Sequence, residues 1–273
     1  MRKKNKTLSL SIFSGKGGVG KTNIALNLGY ALHNANHPTM LMDCDMGLAN
    51  LDVLLGLSPE RNLQDLLQAD VSAADVVVNI EAPDFDFLPS ASGAPELVEW
   101  DEDVQQALFH KLSNHFSKYD FLLLDLVAGI NSSVLTMASM TRTKCIIISP
   151  EPTSLTDSYA VIKILSSKHK VQHFDVIVNM VENKREGEIT FKRLNAACEK
   201  FLGLSLNLLG IIHLDKAVHE SVIRQIPLIK FASSSPASRD ILSLAAKLHV
   251  RRNKILDQLG NEPLFGEYFL QIA

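Results

Sequence analysis

The apolar run L-S-L-S-I-F (Leu8–Phe13) passes directly into S-G-K-G-G-V-G-K-T (Ser14–Thr22), and that into the helical pattern N-I-A-L-N-L-G-Y-A-L-H-N. A strand, a glycine-rich turn and a helix in immediate succession put a helix N-terminus at the carboxyl end of a strand, which is the opening of a parallel α/β unit. Gly15-x-x-x-x-Gly20-Lys21-Thr22 is the complete phosphate-loop pattern in the context it requires. Gly15, Gly17, Gly18, Val19 and Gly20 are expected to wrap a phosphate with backbone N–H groups, helped by the partial positive charge of the helix N-terminus. Lys21 is expected on the β- and γ-phosphates and the Thr22 hydroxyl directly on Mg²⁺. Lys16 is a second cation in the loop, which a phosphate cradle alone does not require.

The rest of the chain repeats the alternation. Candidate strands are Leu8–Ser14, Thr39–Asp45, Phe85–Pro89, Phe121–Val127, Cys145–Pro150, Phe174–Val181 and Leu206–His213. Candidate helices are Thr22–Asn34, Leu63–Ala69, Glu102–Phe116, Ser154–Ser167, Glu188–Phe201, Lys216–Gln225 and Ser235–Gln258, the last opened by a serine cap with Pro236 in its first turn. Continuous runs such as F-L-L-L-D-L-V and C-I-I-I-S-P read as strands buried on both faces of a parallel sheet. The expected fold is α/β: three layers, a mostly parallel central sheet flanked by helices, as in P-loop NTPases. A basic tail (1–7), one domain (8–259) and an apolar tail (260–273) complete the expected organisation. Of 273 residues, 46% are hydrophobic and 21% charged, so a large core is available and global disorder is excluded. A net charge of −3 argues against binding polyanions with the whole surface. Cys44, Cys145 and Cys198 are far apart and form no C-x-x-C, so neither a disulfide framework nor a metal or iron–sulfur site is expected, and buried thiols are. No leader pattern and no apolar run of about 18 residues occurs. The expected compartment is the cytoplasm.

Carboxylates stand at two predicted strand ends. Asp43-Cys44-Asp45 ends the second strand, and Leu122-Leu123-Leu124-Asp125 delivers one acid from an apolar strand, which suits a bond to a Mg²⁺-bound water. Alone, the first pair could be solvated strand-end acids; beside a phosphate loop, one would orient a metal-bound water and the other the attacking water. Ala128-Gly129 forms a turn whose amide is expected to sense the γ-phosphate. Asn179 ends D-V-I-V-N, and His213 lies in G-I-I-H-L-D, where packing is preferred to stacking on a base.

K-G-G-V-G-K-T resembles the deviant Walker A loop of the MinD/ParA superfamily. That resemblance implies ATP and Mg²⁺ as ligands and an ATP-dependent homodimer, in which Lys16 crosses to the other copy's nucleotide. It makes Lys16, Lys21 and Asp45 the catalytic set, with Asp43 supporting. Asp45 and Asp125 would act on Mg²⁺ through water, Gly129 would belong to switch II, and Asn179 would hold the adenine edge beside His213, which stands where proline is usual. Asn23 joins the nucleotide-binding set; it replaces the threonine common in MinD and ParA. Leu126-Val127 stand where relatives carry smaller or polar residues. The stretches M-G-L-A-N-L-D-V-L-L-G-L-S-P, L-P-S-A-S-G and S-P-E-P-T-S-L-T-D-S-Y-A-V-I-K-I-L are most similar to the flagellar regulators of the FlhG/FleN (YlxH) type, and the resemblance runs from about Leu8 to about Val250. It implies control of flagellar number or placement through protein partners, such as a partner GTPase or a transcriptional activator. Asp157 would sit at the dimer face, or serve a helix N-terminus capped by Thr153 or Ser154. No D-Q-A-x-x-L-R segment stands ahead of residue 8, so any GTPase contact is expected to use another surface.

Leu264, Phe265, Tyr268, Phe269 and Ile272 recur at helical spacing, but Glu262 and Glu267 oppose attraction to anionic lipid and Gly266 interrupts the helix. Docking of the tail on the body is therefore preferred, with a peripheral position at the inner face of the membrane as the alternative. Nucleic acid is disfavoured, Arg251-Arg252-Asn253-Lys254 being the only obvious basic cluster in the domain. A DNA-partition ATPase, a MinD-type cell-division site regulator, a P-loop enzyme acting on a small molecule and a nucleotide-binding adaptor without turnover are the competing readings.

Overall fold

The computed structural model describes residues 6–45, 51–90, 102–260 and 264. Residues 46–50 and 91–93 of the flagellar-type stretches, and the tail positions Phe265, Tyr268, Phe269 and Ile272, lie outside them. The strands are β1 (Leu8–Phe13), β2 (Thr39–Asp43), β3 (Val78–Glu81), β4 (Phe85–Leu88), β5 (Phe121–Asp125), β6 (Thr143–Ile148), β7 (Asp175–Val181) and β8 (Asn207–His213). They form one eight-stranded sheet in the order β3-β4-β2-β5-β1-β6-β7-β8. All neighbours are parallel except β3 and β4.

The helices are α1 (Lys21–Asn34), α2 (Leu51–Leu55), α3 (Ala73–Val76), α4 (Glu102–Phe116), α5 (Ser132–Met140), α6 (Pro152–His169), α7 (Lys184–Leu202), α8 (Lys216–Ile223), α9 (Leu228–Phe231), α10 (Pro236–Lys254) and α11 (Leu256–Leu259), with a 3₁₀ turn at Leu63–Leu67. Strand periodicity sorts the core into two apolar layers. Leu122 and Leu124 of β5 enter one and Phe121 and Leu123 the other, so helices cover both faces of the sheet. In β1 the layer of Leu8, Leu10 and Ile12 is purely apolar, whereas Ser9 and Ser11 face the opposite side and find partners there. Ser9 Oγ donates to the Leu264 carbonyl at 3.2 Å, and Ser11 Oγ accepts from Thr141 Oγ1 at 2.9 Å. The buried Leu264 is thus seated on the body of the domain.

Several predicted boundaries move. β2 ends at Asp43 rather than Asp45, and β5 at Asp125 rather than Val127, which puts Asp43 and Asp125 at strand ends and Asp45 past one. Leu63–Ala69 is a 3₁₀ turn, and Ser235–Gln258 breaks at Ile255 into two helices. Ser235 does cap α10, its Oγ accepting from the Ser238 N–H at 3.3 Å. Neither Thr153 nor Ser154 caps α6. That helix starts at Pro152 after Glu151, and Asp157 lies past its first turn.

Candidate nucleotide-binding site

β1 is the fifth strand of eight, flanked by β5 and β6, so the loop 14–20 leaves the carboxyl edge in the middle of the sheet. Two of its glycines answer to packing as much as to phosphate. A Cβ on Gly15 would lie 2.2 Å from the Asp157 carbonyl carbon, because the backbone of α6 rests on the loop. Gly20 has φ +88°, and a Cβ there would meet the Asn179 amide nitrogen at 2.6 Å. Gly20 then opens α1, its carbonyl accepting from Ile24 N–H at 3.0 Å. Lys21 and Thr22 are thereby fixed in the first turn of a helix that is buried along Ile24–Leu32.

The Walker-B-like acid meets this turn. Asp125 is 3% exposed at the end of β5. Burial pushes its carboxyl up to about 6, a hydrogen bond from Thr22 and the Lys21 ammonium pull it back, and Asp45 pushes it up again. Its Oδ1 is buried without a hydrogen-bond partner among the described residues. Asp43 is paired in register with Asp125 on the next strand. Burial first, and the charge of Asp125 second, push Asp43 up to about 8, although it accepts from the Asp45 N–H at 2.8 Å and the Leu51 N–H at 3.4 Å. Asp43 therefore holds the backbone at Asp45 and Leu51, and Asp45 stands past the strand end, partly exposed. Adjacent buried carboxylates, an orphaned carboxylate oxygen and a neighbouring threonine hydroxyl form an all-oxygen donor set with an excess of negative charge. That set fits Mg²⁺.

Lys16 does not join this cluster. Its ammonium pairs with Glu151 and hydrogen-bonds Thr153 Oγ1 at 3.0 Å, at the start of α6. Sequence reasoning took Asp157 as the acid of this segment and missed Glu151; the signal was a Glu-Pro pair directly after a strand on the loop's own edge. Gly129 has φ +107°, and its N–H donates to the Ser14 carbonyl at 2.9 Å, so here that amide closes on the first residue of the loop. Asn179 is buried, and its amide nitrogen donates to the Val19 carbonyl at 2.9 Å, tying β7 to the loop. A pocket of about 330 Å³ adjoins, lined by Gly20, Asn23, Asn179, Met180, His213 and Val218 among others. His213 is held by Asp240, which accepts from its backbone N–H at 2.9 Å and meets its Nδ1 at 2.7 Å. Proline at that position would have no N–H to give.

The predicted site residues thus gather at one sheet edge, and the arrangement defines a P-loop NTPase with an extra lysine in its loop whose ammonium rests on the start of α6. The ParA family model, described as NUBPL iron-transfer P-loop NTPase, matches residues 5–249. The chain belongs to that family, within the MinD/ParA superfamily. It is 34% identical to the antiactivator FleN of Pseudomonas aeruginosa over 88% of this chain and 85% of that protein. It is also 34% identical to the flagellum site-determining protein YlxH of Helicobacter pylori, over 99% of this chain and 82% of the relative. Among solved structures, MinD of Pyrococcus horikoshii in complex with Mg-ADP superposes with a TM-score of 0.73 at 26% identity, covering 89% of this chain and 96% of that one. The MinC:MinD complex of Aquifex aeolicus gives 0.71 at 28%, with 89% and 96% covered. Iron transfer belongs to the words of the family description; the three cysteines here are free and buried.

Proposed function

We propose that this chain is an ATPase switch that is monomeric with ADP, dimeric with ATP, and regulates flagellar number or placement through protein partners. The observation that carries the reading is the position of Lys16. Its amine lies outside the phosphate cradle, against Glu151 and Thr153, with 36% of its side chain exposed. A cation there does little for its own nucleotide and is placed to serve one held by a second copy. An exposed ion pair is worth about 0–1 kcal/mol, so the Glu151 contact is readily exchanged for a phosphate.

Thr22, with Asp125 and Asp45 through water, would hold Mg²⁺, which when bound neutralises charge on the β- and γ-phosphates. Lys21 orients the phosphates from the first turn of α1. Asp45, past the strand end and partly exposed, positions the attacking water. Lys16 from the second copy adds positive charge where negative charge develops, a contribution of about 10³–10⁵ in rate where arginine does the same work. Buried Asp43 keeps the Asp45 backbone in place.

The flagellar output is supported by the similarity to FleN and YlxH over most of the chain. The DNA-partition reading loses its basic surface: Arg251 pairs with Asp175, and Arg252, 6% exposed, pairs with Asp120. Among the described residues no helix is long and apolar enough to cross a membrane, and the one described apolar residue of the tail, Leu264, is buried on the body of the domain.

Light scattering after size exclusion, with ADP, ATP and a slowly hydrolysed analogue, tests the switch. The wild type is expected to double in mass only with the triphosphates. Lys16→Ala is expected to bind ATP, remain monomeric and lose at least a hundredfold in phosphate release. A Lys16→Ala chain that dimerises and hydrolyses normally sinks the reading.

A further inference from the structure

The end of β8 brings His213 into the pocket of about 330 Å³ beside the phosphate loop. One carboxylate oxygen fixes its ring. Asp240 Oδ2, on α10, accepts from the His213 backbone N–H at 2.9 Å and meets Nδ1 at 2.7 Å. An ionised carboxylate only accepts, so the imidazole proton sits on Nδ1 and the neutral ring keeps a bare lone pair on Nε2. His213 lines the pocket and Asp240 does not, so the ring stands between the carboxylate and the cavity. The side chain is 34% exposed, and among the described residues its Nε2 has no hydrogen-bond partner.

Two further titratable side chains line the cavity, Asp215 and His219, both from the segment after β8. Asp215 is committed to backbone: its Oδ1 accepts from the Ala217 N–H at 2.9 Å and its Oδ2 from the Ala237 N–H at 3.1 Å. The starts of α1 and α10 and the end of β7 add only uncharged groups to the lining. Among these, Asn179 spends its amide nitrogen on the Val19 carbonyl, which leaves Oδ1 as its accepting atom. The cavity therefore offers two acceptors, His213 Nε2 and Asn179 Oδ1, and partly buried acceptors call for a donor from the ligand.

We propose that His213 selects the base, held by Asp240 as the tautomer whose bare Nε2 accepts from the exocyclic amino group of adenine and repels the carbonyl oxygen at the same place on guanine. The inference rests on the nucleotide site proposed above and adds how that site tells one purine from the other. Proline at this position would supply packing alone, whereas the imidazole supplies an atom that reads the base edge. The two purines differ there in sign, amino donor against carbonyl acceptor. A second proton on the ring reverses the preference: Nε2 becomes a donor, loses the amino group and gains the carbonyl. Adenine is thus favoured where the ring is neutral, and less so as pH falls.

Calorimetric titration of the full chain with Mg-ADP and with Mg-GDP, between about pH 8 and pH 5, tests this over the span in which histidine changes charge. The ratio of the two affinities is the readout, because pH effects on the phosphates and their loop are common to both and cancel. The wild type is expected to favour ADP by at least about tenfold at the upper end, and the ratio to fall by at least about fivefold at the lower. His213→Pro is expected to bind ADP with a ratio that no longer depends on pH, and His219→Gln to keep the dependence. Asp240→Ala, which frees the ring to carry its proton on Nε2, is expected to lower the ratio at the upper end by at least about threefold. The wild-type series needs no variant, so it decides the matter even where a substitution folds poorly. ADP binding with a ratio flat in pH, or a pH dependence that His213→Pro retains, overturns this proposal alone. Failure of both diphosphates to bind overturns the nucleotide site and this proposal with it.

Discussion

Gly15 shows how one residue carries two demands. The phosphate loop needs a flexible backbone, but the structure adds a harder requirement, since a methyl group there would sit 2.2 Å from the Asp157 carbonyl carbon and 2.4 Å from the Ser158 nitrogen. Both atoms belong to the backbone of α6, so no rotamer can relieve the clash. Gly15→Ala must push α6 away from the loop, and overpacking of this kind costs about 1–3 kcal/mol. In a domain of this size a melting temperature lower by about 2–12 °C is expected, even without nucleotide. Calorimetric melting of the nucleotide-free protein checks it; an unchanged temperature would mean that α6 does not rest on the loop. Gly17, with nothing within 4 Å of a built Cβ, is the contrasting control.

At the level of elements, the end of α10 is locked to the start of β5. Arg252 donates from Nε to the Asp120 carbonyl at 3.0 Å and pairs through Nη2 with its carboxylate, and His37 Nδ1 meets that carboxylate at 2.7 Å. Removing Asp120 leaves the 6%-exposed Arg252 without its counter-ion. Asp120→Ala is therefore expected to destabilise by about 2–4 kcal/mol, and Asp120→Ala with Arg252→Met by less than Asp120→Ala alone, in a denaturant cycle. That lock was not legible beforehand. R-R-N-K read as an isolated basic cluster because its acids lie far back in the chain, at Asp120 and Asp175. What sequence did convey was the set of parallel strands, since a strand buried on both faces must be a continuous apolar run. β3 escaped because V-N-I-E is a four-residue antiparallel edge strand with a register shift against β4. α5 escaped because S-S-V-L-T-M-A-S-M is rich in serine and β-branched residues and buries most of its length, leaving no polar face to betray its period. In the site, spacing revealed the loop and both strand-end acids. It could not reveal that Lys16 rests on Glu151, because no local pattern joins residues 135 apart in the chain.

Across the whole molecule, the proposed switch would combine a triphosphate site with Lys16, whose ammonium rests on Glu151 outside the phosphate cradle, and the two have separable thermodynamic signatures. Any ligand that binds only the folded state stabilises it by mass action, by about 2.7 kcal/mol at a hundred times its dissociation constant. At roughly 2–4 °C per kcal/mol for a chain of this length, saturating Mg-ADP is expected to raise the melting temperature by about 5–11 °C. Lys21→Ala, which removes the cation proposed to lie on the phosphates, is expected to show little of that rise. If ADP leaves the chain monomeric, the gain does not depend on protein concentration. A slowly hydrolysed ATP analogue is different, because dimerisation adds a second equilibrium, and the melting temperature must then climb further as protein concentration rises. Lys16→Ala separates the two effects: it is expected to keep the concentration-independent gain from the analogue and lose the concentration-dependent part. A wild type whose melting temperature with the analogue is flat over a hundredfold range of protein concentration would show that the triphosphate does not join two copies.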